Sequence, residues 1–136
     1  MLGFYSARKL AEAGKLSPAT IGRQVPLAVY PWKGKEVTRI NWHRLSELYD
    51  LEHRDDITRD LFFVCHQMVH SYVFAASFTE SGLLQGVLFC SDRYRHKHLF
   101  YMSLPDVIEL FQLVGNDYPD RMTLAKDEKI KDYKTS

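Results

Sequence analysis

Six histidines stand in this sequence, and four of them form two close pairs, His66 with His70 and His96 with His98. On a helix, positions i and i+4 project from one side. On a strand, positions i and i+2 share a face. Each pair could therefore offer two imidazoles to one divalent ion, zinc above all. Asp92 or Glu80 could add an oxygen ligand or act as a base through metal-bound water. The plainer account places His66 and His70 on the border between a helix and solvent. It makes His96-Lys97-His98 the solvated start of a strand. Gln67 fills the position where a helical metalloprotease signature carries glutamate, and no third ligand lies at a zinc-family spacing. No cofactor is therefore expected. His66, His70, His96 and His98 are the candidate ligands should a metal be held.

A second constellation joins Arg59 to His66. Seven residues make about two helical turns, so both would fall on one stripe. A cation holding phosphate beside an imidazole that moves a proton is ribonuclease-like chemistry. Arg59, His66 and His70 are the catalytic candidates. A third feature is the run Arg93-Tyr94-Arg95-His96-Lys97-His98, where cations alternate with rings. Arg93, Tyr94 and Arg95 are the binding candidates, suited to phosphates or a nucleic-acid strand. The plainer reading is a polar hairpin tip whose charges protect a sheet edge. Other chemistry is poorly served. Ser71 follows His70 and Cys65 precedes His66, and adjacent helical residues diverge by about 100°, a poor geometry for a nucleophile and its base. No phosphate-binding glycine loop or nucleophile elbow is present.

These residues need elements to hold them. Asp55 to Phe74 is the longest helix-like run. Ile57, Leu61, Val64, Cys65, Met68 and Tyr72 follow the spacing of one buried side, which predicts a helix over 56–72 capped by Asp55 or Asp56. Beyond it the composition turns aromatic and β-branched. Strands are expected over Tyr72–Thr79, Leu84–Ser91 and His96–Leu104, with turns at Glu80-Ser81-Gly82 and Asp92–Arg95 and a candidate bulge at Gly86. Consecutive strands with short turns form an antiparallel meander. A last helix follows over 105–114, stopped by Gly115-Asn116. Upstream, a short helix is expected over Phe4–Ala13, and Ser17-Pro18 is expected to open another. Pro26–Trp32 and Glu36–Ile40 form a hairpin about Lys33-Gly34-Lys35. Asn41 caps a helix over Trp42–Asp50.

The fold class is therefore α+β: a three-stranded meander, extended by the N-terminal hairpin, with helices 56–72 and 105–114 packed on it. Residues 1–116 make one domain, and 117–136 a charged tail, extended or weakly helical. Hydrophobic residues are 46% and charged residues 26% of the 136, enough for a core without metal or disulfide. A net charge of +1 gives no global pull toward nucleic acid or membrane. Cys65 and Cys90 lie in apolar runs, the setting of buried free thiols in a reducing compartment. The N-terminus lacks the apolar stretch of a secretory signal, and no run reaches the roughly 18 apolar residues of a membrane span. A soluble cytoplasmic protein is expected.

Phe100, Met102 and Leu104 share one strand face, and Leu99 and Tyr101 share the other. Both faces are apolar, so the second needs cover from the N-terminal segment or from another copy of the chain. The functional expectation is a self-associating binding or accessory protein, a homodimer with a protein partner. Nucleic acid is disfavoured and no membrane is involved. The alternative is a small metal-dependent or ribonuclease-like hydrolase using His66 and His70 with His96 and His98 or with Arg59.

Overall fold

A computed structural model of the protein describes residues 17–117. The helix expected over Phe4–Ala13 and the tail beyond Asp117 lie outside them. The fold is α+β. Its elements are α1 (Pro18–Ile21), β1 (Gln24–Pro31), α2 (Leu45–Leu48), β2 (Asp55–Asp60), α3 (Leu61–Val69), β3 (Ser71–Phe78), β4 (Leu84–Ser91), β5 (His98–Ser103) and α4 (Leu104–Asp117). The five strands form one antiparallel sheet in the order β2-β1-β5-β4-β3. The meander β3-β4-β5 is present, and β1 and β2 extend it. No described helix is long and apolar enough to cross a membrane.

Local chemistry accounts for most boundaries. Ser17 Oγ accepts from the Thr20 N–H at 3.2 Å, with Pro18 at the first helical position, so α1 begins as its sequence suggests. Asp60 caps α3 by accepting from the Phe63 N–H at 2.8 Å. Ser103 accepts from the Asp106 N–H at 3.4 Å and donates to its carboxylate at 2.8 Å, closing the first turn of α4. Gly82 turns β3 into β4 at φ +85°, in the left-handed region open to glycine.

The helix expected over 56–72 is nine residues long, and Asp60, not Asp55 or Asp56, caps it. Asp55–Asp60 is instead β2, paired with Gln24–Val29 of β1. Ile57 lies opposite Leu27 and turns inward, while its neighbours are charged or polar. Six residues gain ladder partners along β1, and this tertiary pairing overrides the helical period. The hairpin expected with Glu36–Ile40 does not form, because β1 spends both edges on β2 and β5. Asn41 caps no helix. Its side chain closes a turn, accepting from the Thr38 N–H at 2.7 Å and donating to the Glu36 carbonyl at 2.9 Å. The helix expected over Trp42–Asp50 shrinks to the single turn of α2, which delivers Leu48 and Tyr49 to the core. Helix α4 runs through Gly115 and Asn116.

Paired residues share a face in an antiparallel ladder. Val29, Phe100, Phe89 and Phe74 form one row across the sheet. Helices α3 and α4 pack on that side, burying Leu61, Val64, Cys65 and Met68 from one and Leu110 and Val114 from the other. The opposite face carries the row Ala28, Tyr101, Leu88 and Ala75. One end of it, at Cys90 and Leu99, meets Tyr49, whose hydroxyl lies 3.5 Å from Cys90 Sγ. The second apolar face is thus partly covered by the chain's own connection between β1 and β2.

Candidate binding surface

The four paired histidines meet different fates. His66 and His70 come together at the C-terminal end of α3, with ring centroids 4.7 Å apart. His96 and His98 separate. The expectation of a shared strand face fails because the turn after β4 extends to Lys97, so only His98 belongs to β5. His96 Nε2 accepts from the Val37 N–H at 3.1 Å, and its ring packs on Trp32 at 4.9 Å. An Nε2 that accepts carries no proton and has its lone pair engaged. His98 stays with Tyr94 and Phe100, at 6.5 and 6.4 Å. Asp92 and Glu80 lie at opposite ends of β4, and Asp92 is bonded to Arg95 at 3.3 Å. Among the described residues, no group of three or more metal-ligating side chains forms.

The Arg59–His66 stripe assumed one helix through both residues. Arg59 lies in β2, ahead of the helix, and its guanidinium sits 5.5 Å from the Phe63 ring.

The run Arg93–His98 supplies two opposed surfaces. Tyr94 turns toward the helical side and meets Phe63 edge-on at 5.8 Å and Phe100 at 5.3 Å, with the Lys97 ammonium 5.6 Å from its ring. Arg95 turns the other way, to Tyr72. The Tyr72 ring holds two guanidiniums, Arg39 at 4.0 Å and Arg95 at 4.4 Å from its centroid. Each contact contributes about 0.5–1 kcal/mol at such a half-exposed site. Arg93 is exposed beside them. The tip is thus a corner of the molecule where cations and rings interleave, with Asp92 as the carboxylate bonded within it.

Of the residues at this corner, the sequence pattern singles out Arg93, Tyr94 and Arg95 but not Arg39 or Tyr72. Tyr72 reads as a core position in the helical pattern. A register shift between Ser71 and Val73 in fact lies at the start of β3. Arg39 has no local signal, since its partner lies 33 residues away across an irregular connection.

Two other places were candidates for chemistry. Cys65 and Cys90 are buried thiols. Burial pushes the Cys90 thiol up to about 11, against the opposing hydrogen bond with Tyr49, so it is protonated at neutral pH and a poor nucleophile. A cavity of about 260 Å³ opens on the sheet face beside Ala28, lined by Arg54, Asp56, Tyr101, Ser103 and Asp106. Its polar groups satisfy each other or nearby backbone. Arg54 bonds Asp56 at 3.0 Å, Ser103 bonds Asp106 at 2.8 Å, and Tyr101 donates to the Gln85 carbonyl at 3.0 Å.

No family model, curated protein or solved structure matches the chain, so the reading of the corner rests on its own geometry.

Proposed function

We propose that the protein is a binding or accessory protein, not a catalyst, and that the corner of Arg39, Tyr72, Arg93 and Arg95 is its contact surface for an anionic partner. The observation that carries this is the Tyr72 ring with a guanidinium from each of two separate segments. Planar guanidiniums fit phosphate oxygens in bidentate fashion, and a ring beneath them fixes their direction. A single-stranded nucleic acid suits the corner best. It brings phosphates for the cations and bases whose faces stack on rings or guanidiniums. Although the whole chain carries only +1, local clustering of cations sets the field at short range.

Fluorescence anisotropy with a labelled single-stranded oligonucleotide tests the proposal. Binding should weaken steeply with salt, because released counterions drive phosphate contacts. Arg39→Ala with Arg95→Ala should remove most of it, while Arg23→Ala, remote from the corner at its ion pair with Glu109, should leave it intact. No binding at low salt, or binding indifferent to the two arginines, would overturn it. So would a preference for an acidic peptide.

A further inference from the structure

The two edges of the sheet are built differently. In β2, four of six residues are charged: Asp55, Asp56, Arg59 and Asp60. In β3, Ser71–Phe78, none of the eight is charged, and there is neither proline nor glycine. Among the described residues β3 has β4 on one side and no strand on the other. Its regular stretch, Val73–Ser77, lies between two register shifts, one at Ser71/Val73 and one at Ser77/Phe78. Phe78 is 59% exposed at the end of this strand. An uncharged edge strand offers a row of backbone donors and acceptors to another strand, and folded proteins normally guard such a row with charge.

We infer that β3 is the self-association edge of the protein and pairs antiparallel with β3 of a second copy across a two-fold axis. The occupant follows from charge and symmetry. A two-fold centred on the regular stretch puts Ala75 opposite Ala75, Phe74 opposite Ala76 and Val73 opposite Ser77. No like charges meet, the axis passes through small side chains, and each Phe74 lies opposite a small Ala76. The outer edge of β2, with four charged residues in six, is guarded against the same operation. One open edge and one charged edge therefore give a closed two-fold dimer with a continuous ten-stranded sheet, and growth stops there. The inference is independent of the anionic partner proposed for the corner.

The test is light scattering after size exclusion over a dilution series of the full chain, with variants at two positions. The native protein should run at twice the chain mass. Ala76 is exposed, so Ala76→Lys and Ala76→Glu should each run as monomers with unchanged circular dichroism, and an equimolar mixture should recover the dimer. Ala75→Cys should form an intermolecular disulfide under mild oxidation, because paired residues at the axis place their Cα atoms within bridging range. Since both native cysteines are buried, the new thiol reports the edge, even should the Ala76 variants fail to fold. A native chain that is monomeric throughout would overturn the inference, because the edge would then be open or covered by the chain itself. A native dimer that Ala75→Cys does not cross-link would place the interface elsewhere. An open-ended polymer would refute the closed dimer.

Discussion

Replacing Gln67 tests the packing of α3 on the sheet. Gln67 is 2% exposed, and its Oε1 accepts from the Ser91 N–H at 3.0 Å. Ser91 ends β4 where the register with β3 breaks, so a side chain from the helix meets the donor. Gln67→Met keeps the length and removes the acceptor. The buried N–H then loses its partner, which costs about 1–3 kcal/mol. For a chain of this size each kcal/mol lowers the melting temperature by roughly 4 °C, so the expected drop is about 4–12 °C. Gln67→Glu keeps an acceptor but buries a carboxylate. Its penalty should exceed that of Gln67→Met at neutral pH and shrink in acid. Ser91→Ala removes a buried hydroxyl that has no hydrogen-bond partner among the described residues, and should be neutral or stabilising. Denaturant unfolding gives the energies, and hydrogen exchange at the Ser91 amide gives the local effect. Gln67→Met with stability within about 0.5 kcal/mol of the parent, the ordinary scatter of surface changes, and with Ser91 still protected would refute the reasoning.

Three further predictions follow from specific contacts. Gly86→Ala would set a Cβ 2.5 Å from the Met102 carbonyl oxygen and 2.6 Å from two Tyr101 atoms. It should cost about 1–3 kcal/mol in urea unfolding, and Tyr101→Ala should relieve only part, because the Met102 backbone cannot withdraw. Stability should fall in alkali. Burial raises the Cys90 thiol to about 11 and pushes the Tyr49 phenol up as well, so the native state holds protons that the unfolded chain releases. The Cys90 contribution is complete below about pH 9, where its unfolded thiol ionises, and is lost by about pH 11. At the usual scale it amounts to roughly 3 kcal/mol, and Cys90→Ala should flatten that part of the pH profile. The His66 and His70 rings lie 4.7 Å apart with no third ligand among the described residues, and two imidazoles alone should release zinc on dialysis. Stoichiometric zinc that survives dialysis and is lost in His66→Ala/His70→Ala would reverse that conclusion.

What the sequence made legible was local. The strands β3, β4 and β5 announce themselves by composition and by turns such as Glu80-Ser81-Gly82, and α4 by its apolar side behind Pro105. The same rules failed where a partner far along the chain decided the outcome. Ile57 and Leu61 fit a helical period, yet Ile57 belongs to a strand because Leu27, thirty residues earlier, lies opposite it. His96 and His98 fit a strand period, yet His96 turns to Val37 to accept its N–H. Arg93 to Lys97 was recognisable as a basic, aromatic tip. That Tyr72 is the ring beneath Arg95, and Arg39 its second cation, depends on a connection with no regular pattern.

The stretch from Asp55 to Phe78 supplies both edges of the sheet, although its strands β2 and β3 are separated in sequence by α3 alone. The helix between them therefore lies across the sheet face. That explains its apolar side of Leu61, Val64, Cys65 and Met68, and why its buried polar residue, Gln67, meets a backbone donor of β4. Charge runs out along the same stretch. Acidic and basic residues occupy β2, His66 and His70 mark α3, and β3 carries no charge. The change in composition that signals helix giving way to strand also separates a guarded edge from an unguarded one. Edge pairing depends on the backbone and on the absence of repulsion, so its signature is a lack of charge, not a motif. A search for catalytic residues passes over such a strand.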